Sequence, residues 1–419
     1  MKKYETYKDS GLEWLGMVPE HWRIVPLKYL LSEPLQYGAN ESADNCNPSE
    51  PRYIRITDIT EDGKLRKSTY RTLPYQKAEG YMLKKGDILF ARSGATVGKT
   101  FIFEEDYDAC FAGYLIKASC NEKLLPMFLY YFTSSNSYEN WKNSTFNQAT
   151  IQNIGADKYC TLPIPTPSSE EQEGIINFLS HNVAQIDALI SEKEKMVEDL
   201  KAYRSSLITE TVTKGLDKDV KMKDSGVEWI GKMPQNWKLL KLKRIINLKS
   251  GTSLTSDRIL DEGKYQVFGG NGPRGYIDDY TNEGNFVLIG RQGALCGNIN
   301  YANGKFWATE HAIICYPLKE IDTIWLGETL RAMNLNQYSI SAAQPGLAVE
   351  RINELLIPTP SISEQKEISS YLKLKITQIE SAISEQEHQL SDLKSYKSSL
   401  ITEAVTGKID LRDWQTKKS

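Results

Sequence analysis

The chain has 419 residues, 25% of them charged, with 51 Lys and Arg against 54 Asp and Glu and a net charge of −3. This balance, with a sequence pI near 6.0, disfavours a protein that holds nucleic acid tightly by charge alone. No apolar run approaches a membrane span, the polar start MKKYETYKDS has no apolar h-region, and no C-x-x-C pair offers a zinc site, so we expect a cytoplasmic protein of two to four domains.

The chain opens with a segment that recurs in its middle. Residues 8–28 read KDSGLEWLGMVPEHWRIVPLK, and residues 223–243 read KDSGVEWIGKMPQNWKLLKLK. Residues 162–217 recur at 355–410, and about half of the aligned positions are identical. A repeat of this length indicates a duplicated pair of domains rather than a solenoid, and it predicts a pseudo-two-fold molecule.

The first variable block, roughly 31–161, contains a glycine-rich turn. The runs 54–60 and 86–94 predict strands, and 126–135 has helical spacing. Residues 92–100 read RSGATVGKT, which is close to a nucleotide-binding P-loop. A P-loop places four residues between its two glycines, whereas three separate Gly94 from Gly98, so the match fails in a loop that depends on its shape.

The segments that follow each variable block predict two long helices. Both begin after an IPTP sequence with a Ser-x-x-Glu capping box, at Ser168 and Ser361, and both end near a glycine, Gly215 or Gly407. Apolar residues recur every 3.5 residues on average, which favours helix pairing along a coiled-coil seam. The predicted seam comprises Leu179, Val183, Ile186, Ile190, Val197, Leu200 and Leu207, with counterparts Leu372, Ile376, Ile379, Ile383, Leu390, Leu393 and Leu400.

The second variable block, roughly 246–354, predicts strands at 285–293 and 311–318 and a helix at 323–333. Its turn, RQGALCGN at 291–298, aligns without gaps with 92–99, but Asn and Ile replace the Lys-Thr pair that a P-loop needs. Two interpretations stay open. The turns are either tight hairpins whose glycines adopt positive φ, or loops that approach a ligand beside Arg92 and Arg291.

A second glycine cluster spells F-x-G-x-G at residues 268–272, a pattern found in S-adenosylmethionine sites. The partner motif of DNA methyltransferases needs two adjacent prolines, and the chain contains no Pro-Pro dipeptide. We interpret the cluster as a turn.

Three repeated features are typical of one family, namely the segment at residues 8–28 and 223–243, the IPTPSSEEQ and IPTPSISEQ sequences, and the two SSLITE helix ends. In these features the chain resembles specificity (S) subunits of type I restriction-modification systems. The block from FGGNGPRGYIDDY to GKFWATEHAI is also typical of that family. The resemblance covers nearly the whole chain.

The resemblance implies an α+β architecture with two mixed target-recognition domains joined by an antiparallel coiled-coil spacer. The first domain and its N-terminal segment would span 1–161, a central helical region 162–221, the second segment and domain 222–354, and a C-terminal helical region 355–419. It also implies a non-catalytic reader of a bipartite double-stranded DNA target. Two methyltransferase (M) subunits and restriction (R) subunits would be its partners, and these would carry S-adenosylmethionine, ATP and Mg, with none of these in this chain.

Arginine and amide side chains are the usual readers of base edges in the major groove. The residues that we expect at the DNA are polar side chains of the predicted turns and of the segments before the long helices, namely Arg92, Lys99, Gln148, Asn271, Arg274, Arg291, Gln292, Asn298 and Gln344. The tryptophans of the repeated segments recur in both copies, so we expect them to pack near the helix ends and not to read bases.

Two other classes of function remain as alternatives. One is an enzyme, either an ATPase using Lys99 and Thr100 or a methyltransferase using the Phe268 loop. The other is a coiled-coil assembly scaffold without DNA specificity of its own.

Overall fold

The computed structural model describes residues 2–60, 63–145, 153–293, 295–339 and 346–414. Within them the chain forms two compact units, unit 1 from Met1–Lys193 with His388–Ser419 and unit 2 from Glu194–Glu387. Two long helices, α5 (Ser169–Lys214) and α8 (Ile362–Val405), each contribute to both units. No helix of the described part is long and apolar enough to cross a bilayer.

Unit 1 is built on small separate β-sheets, one of four antiparallel strands and the others of two. Its strands are β1 (Tyr7–Asp9), β2 (Met17–Pro19), β3 (Arg23–Pro26), β4 (Gln36–Tyr37), β5 (Arg52–Ile54), β6 (Ile88–Ala91), β7 (Thr100–Ile102), β8 (Ala109–Phe111), β9 (Leu115–Ala118) and β10 (Pro163–Thr166). Its short helices are α1 (Tyr75–Ala78), α2 (Pro126–Phe132), α3 (Asn136–Thr145) and α4 (Ala156–Cys160). The central sheet has the order β4-β9-β6-β7, and β5 pairs in parallel with β8.

Unit 2 has longer strands in an equivalent arrangement. They are β11 (Met222–Asp224), β12 (Lys232–Pro234), β13 (Lys238–Lys241), β14 (Ile246–Ser250), β15 (Tyr265–Gly269), β16 (Gly272–Ile277), β17 (Asn282–Gly290), β18 (Ile299–Ala308), β19 (Ala312–Pro317) and β20 (Leu356–Thr359). Its short helices are α6 (Thr323–Ala332) and α7 (Val349–Asn353). The six-stranded sheet has the order β14-β19-β17-β18-β15-β16, and its first four strands repeat the order β4-β9-β6-β7 of unit 1. Strand β15 pairs in parallel with β18, as β5 does with β8. The repeat seen in the sequence therefore extends to the topology of the variable blocks.

The predicted strands at 86–94, 285–293 and 311–318 are confirmed as β6, β17 and β19, and the predicted helices at 126–135 and 323–333 as α2 and α6. The strand predicted over 54–60 was wrong beyond Ile54. Residues 56–58 form a 3₁₀ turn, because the carboxylate of Asp58 accepts both the backbone N–H of Arg55 (2.8 Å) and its guanidinium. These hydrogen bonds between residues close in sequence take the place of hydrogen bonds to a neighbouring strand.

Helices α5 and α8 contact each other inside each unit with opposite chain directions. In unit 1, Lys397 donates to Asp187 (2.6 Å) and Lys193 to Gln389 (2.6 Å). In unit 2, Arg204 donates to Glu380 (3.2 Å) and Lys201 faces Glu387 at 3.3 Å. All the predicted seam residues are buried or half-buried, so the apolar spacing correctly marked the faces that the helices turn inward.

The helix ends are fixed by the repeated segments. In α5, Ser168 and Glu171 form the predicted capping box, with bonds of 3.2 and 3.4 Å. In α8, the Ser361 hydroxyl accepts from the Glu364 N–H (3.3 Å), and the Glu364 carboxylate accepts from the Trp237 indole (2.9 Å). Gly215 has a positive φ and packs against Trp237, as Gly407 does against Trp22. The tryptophans pack at the helix ends, as predicted.

Candidate DNA-reading site

The glycine-rich turn of unit 1 is a tight hairpin between β6 and β7. The backbone N–H of Ala91 donates to Lys99 (2.8 Å), and that of Gly98 donates back to Ala91 (2.8 Å). Gly94 and Gly98 have φ of +73° and +81°, which other residues adopt only with strain. The turn is therefore a tight hairpin with glycines at positive φ, and the interpretation that it approaches a ligand beside Arg92 stays a prediction.

The hairpin holds Arg92 by its main chain. The N–H of Arg92 donates to the carbonyl of Tyr114 (3.0 Å), and the carbonyl of Arg92 accepts from Ile154 (2.9 Å). The first bond joins the end of β6 to the residue before β9, and the second joins it to the segment before α4. The main chain of Arg92 is thus fixed on both sides by elements far away in the sequence, and we call these two hydrogen bonds the backbone frame of the arginine.

Unit 2 repeats this frame bond for bond. The N–H of Arg291 donates to the carbonyl of His311 (2.9 Å), and the carbonyl of Arg291 accepts from Leu347 (3.0 Å). The hairpin closes through Gly290 and Asn298 (2.8 Å) and through Gly297 and Gly290 (2.7 Å). Two blocks of dissimilar sequence therefore build one backbone geometry around an arginine.

The side chains on the two frames differ. The guanidinium of Arg92 lies over the ring of Tyr37, 4.8 Å from its centroid, whereas Nη1 of Arg291 donates to the hydroxyl of Ser250 (3.2 Å). Tyr37 ends β4 and Ser250 ends β14, and these strands occupy equivalent edges of the two sheets. The frame fixes where each arginine emerges, and the neighbouring strand decides what holds its side chain.

Several predicted site residues of unit 2 lie together. Nδ2 of Asn298 donates to Oδ1 of Asn271 (2.8 Å), and Oε1 of Gln292 lies 3.2 Å from Nδ1 of His311. The β15–β16 turn sits against the Arg291 hairpin, because a Cβ on Gly270 would be 3.0 Å from the carbonyl oxygen of His311. Asn271, Arg291, Gln292 and Asn298 thus form one polar cluster.

The remaining predicted residues have other positions. Arg274 is exposed on β16. Its side chain packs against Gly269, because a Cβ added to that glycine would lie 2.4 Å from Cδ of Arg274. Lys99 is half-buried and lines a cleft of about 500 Å³ in unit 1 with Thr100 and Tyr130. Gln148 and Gln344 lie outside the described residues.

Four neighbours of the arginines were missed from the sequence. They are Tyr37 and Tyr114 in unit 1 and Ser250 and His311 in unit 2. Tyr114 and His311 directly precede the strand that pairs with the arginine strand, so the antiparallel register alone brings them to the arginine. That register is a non-local property, and no motif in the sequence marks it.

One buried cysteine, Cys110, lies on β8 of unit 1 and another, Cys315, on β19 of unit 2. Burial raises the pKa of the Cys110 thiol to about 12 and also raises the pKa of the Cys315 thiol. A thiol is a nucleophile only when ionised. These two cysteines are therefore packing residues at neutral pH.

The family model of the type I restriction modification DNA specificity domain matches residues 36–199 and 234–388. The chain is 29% identical to the type I restriction enzyme EcoprrI specificity subunit of Escherichia coli over 76% of this chain and 79% of that protein. It is 23% identical to the MjaVIII specificity subunit of Methanocaldococcus jannaschii over 98% of this chain and 97% of that protein.

Solved structures share the fold. A chain from a study of complex assembly and conformational transition of the type I R-M system superposes with a TM-score of 0.73 at 17% identity, covering 94% of this chain and 99% of that one. The HsdS subunit of Thermoanaerobacter tengcongensis superposes with a TM-score of 0.50 at 18% identity, covering 94% of this chain and 98% of that one.

Proposed function

The chain belongs to the type I restriction-modification DNA specificity family, and we propose that each of its two units reads one half of a bipartite target. Its function is DNA sequence recognition as the specificity subunit of such a system. The proposal concerns how the chain divides that task.

One observation carries the proposal, namely that Arg92 and Arg291 sit in matched backbone frames with different side chains around them. A duplicated reader needs a fixed scaffold that presents side chains to DNA, and it needs different side chains where the two half-sites differ. Tyr37 and Tyr114 in unit 1 stand where unit 2 has Ser250 and His311. Base edges in the major groove are told apart by such changes of donor, acceptor and shape.

In this proposal the arginines contact guanine, since a guanidinium matches O6 and N7 of that base. Asn271, Gln292 and Asn298 offer amides, which suit adenine. Lys99 and Arg274 would contact phosphates, which position the protein without reading sequence. Gln148 and Gln344 keep their predicted role as DNA-facing residues.

We also propose that α5 and α8 form an antiparallel coiled-coil spacer and that the molecule has a pseudo-two-fold axis. The opposed ion pairs of each unit and the inward-facing seam support this arrangement. The four-part division at residues 161, 221 and 354 belongs to the same proposal. Two readers on a stiff spacer would fix the helical phase between half-sites, as dimeric readers do.

The exposed faces of the helix ends support docking of two methyltransferase subunits. Tyr203, Ser206 and Glu210 are exposed on α5 at spacings of three and four residues, so they lie on one face. The same three residue types recur, exposed, as Tyr396, Ser399 and Glu403 on α8. Exposed side chains contribute little to folding stability, so folding does not explain why α5 and α8 carry the same three residue types. Binding of two copies of one partner does explain it.

Methylation and cleavage would then belong to the partner subunits, with restriction subunits joining the complex. The hairpin argues against the ATPase alternative, since β7 follows Lys99 where a P-loop would begin a helix. A methyltransferase site at Phe268 is disfavoured because Phe268 is buried and its glycines form the β15–β16 turn.

The test is a block exchange. Residues 246–354 are replaced by the equivalent block of another family member, and the complex is expressed with its methyltransferase in a host without type I methylation. Single-molecule sequencing then maps methylated adenines. A change in one half of the motif supports the proposal. A motif that stays unchanged supports the scaffold alternative and refutes the proposed division of labour.

A further inference from the structure

Tyr114 stands in the tight turn that joins β8 to β9, directly beside Arg92. The N–H of Leu115 donates to the carbonyl of Ala112 (2.9 Å) and closes this turn. The carbonyl of Tyr114 in turn accepts from the N–H of Arg92 (3.0 Å). Both bonds are made by the main chain, so the position of Tyr114 is fixed without any use of its side chain.

The side chain of Tyr114 is left open to solvent. It is 61% exposed, and among the residues that the structure describes it makes no hydrogen bond and no aromatic or cation–π contact. Tyr37, the other tyrosine at Arg92, is engaged at both ends: its hydroxyl accepts from the N–H of Ala156 (2.9 Å) and its ring packs on the guanidinium. Tyr114 therefore presents an amphipathic ring that folding does not use, on a main chain that is already ordered.

The chemistry of the major groove decides which base such a ring can select. Base edges there carry hydrogen-bond donors and acceptors, and the one apolar group among them is the C5-methyl of thymine. The faces of the bases are stacked on one another in an intact duplex, so a side chain in the groove meets edges and not faces. A hydroxyl that reached a phosphate would add affinity without reading sequence. An exposed ring at a reading site therefore favours thymine.

Resting on the proposed function, we infer that Tyr114 is a specificity-determining residue of unit 1 that selects a thymine near the guanine bound by Arg92, by packing its ring against the C5-methyl group. Unit 2 has His311 at the equivalent position. That ring is polar, and its Nδ1 lies 3.2 Å from Oε1 of Gln292. The two half-sites are therefore read differently at this position.

The experiment uses the full chain assembled with its methyltransferase and duplexes that carry the motif identified by adenine mapping. Each thymine of the half-site read by unit 1 is replaced in turn by deoxyuridine, which lacks only the C5-methyl group. At one thymine the affinity of the wild-type complex is expected to fall about fourfold, the effect of one buried methyl group. In Tyr114→Ala the same replacement should leave the affinity unchanged, because the ring that buries the methyl is gone.

Two further variants separate the ring from the hydroxyl and from general effects. Tyr114→Phe keeps the ring and should keep the preference for thymine over uracil. Loss of the preference in this variant would indicate a contact through the hydroxyl and would overturn the inference. The matched control is Tyr29→Ala, which removes a tyrosine of equal exposure in the same unit and should keep the fourfold difference.

A difference between thymine and uracil that is equally large in the wild type and in Tyr114→Ala overturns the inference, and so does a half-site in which no uracil weakens binding. If Tyr114→Ala binds no duplex, Tyr114→His, which carries the residue of unit 2, takes its place and should bind both duplexes equally. Failure of the proposed function is distinct, because the motif then stays unchanged in the block exchange.

Discussion

The backbone N–H of Arg291 donates to the carbonyl oxygen of His311 over 2.9 Å, and this bond places an arginine at the mouth of the unit 2 hairpin. Arg92 makes the same bond to Tyr114 in unit 1, over 3.0 Å. Because the main chain is held in both cases, removing either side chain should leave the hairpin intact. Substitution of these arginines therefore separates DNA recognition from folding.

Arg291→Ala is expected to reduce discrimination at one position of one half-site by about 1–3 kcal/mol, the range for a bidentate contact to guanine. The other half-site should be read as before. Binding of the assembled complex to duplexes with single base-pair changes measures the effect. Arg244→Ala, an exposed arginine of the same unit, is the control. If Arg291→Ala discriminates among the single-change duplexes as strongly as the control Arg244→Ala does, the contact is excluded.

Tyr203→Ala and Tyr396→Ala should each remove one methyltransferase subunit from the complex. The two side chains are 56% and 54% exposed, so folding should be affected little, whereas a tyrosine at the centre of an interface contributes about 2 kcal/mol or more to binding. Native mass spectrometry should show a single partner subunit in each variant and none in the double variant. Tyr29→Ala, 61% exposed, is the control and should keep both subunits.

Glu171→Ala should destabilise the start of α5 more than Glu364→Ala destabilises the start of α8. Glu171 accepts from the hydroxyl of Tyr4 (3.1 Å) and from the indole of Trp22 (3.5 Å), whereas Glu364 accepts from Trp237. The first change leaves two buried donors unpaired, at a cost of about 2–4 kcal/mol, against about 1–2 kcal/mol for the second. Hydrogen exchange of the backbone amides in the first turn of each helix measures the two losses of stability. Equal protection losses would contradict the expectation.

Docking of the N-terminal segment should weaken at alkaline pH. Burial and the nearby Glu171 carboxylate raise the pKa of Tyr4 above its ordinary value of 10.0. The folded state thus favours the neutral phenol, so the stabilisation is complete below pH 10 and is lost as the pH rises further. The difference in urea unfolding between the wild type and Tyr4→Phe should shrink from pH 10 to 11. Tyr7→Phe serves as control, and a difference that does not change with pH would count against the linkage.

Thiol labelling should report the folding of each unit. Cys46 is exposed, whereas Cys110 in unit 1 and Cys315 in unit 2 are buried with raised pKa values. Iodoacetamide at pH 7.5 should modify Cys46 within minutes and the two buried thiols only on unfolding. Peptide mass spectrometry reads each site, and Cys46→Ser supplies the background. The same assay shows whether a recognition variant, such as Arg291→Ala, has kept its fold.

Much of the architecture is determined by the sequence itself. The duplicated segments, the seam from Leu179 to Leu207, the capping residues Ser168 and Ser361 and the glycine hairpins all express local spacing. A helix repeat, a cap or a positive φ depends on residues within one or two turns of each other. These features can therefore be predicted from the sequence alone.

The tertiary structure alone decided what surrounds the two arginines. Tyr114 and His311 reach them through strand register, and the helix contacts join residues about 200 positions apart, such as Asp187 and Lys397. Register is set by which faces the whole sheet buries, and a shift of one residue would turn every side chain over. For that reason the neighbours of Arg291, such as His311 and Ser250, have no signature in the sequence, and their places beside it appear only once the chain is folded.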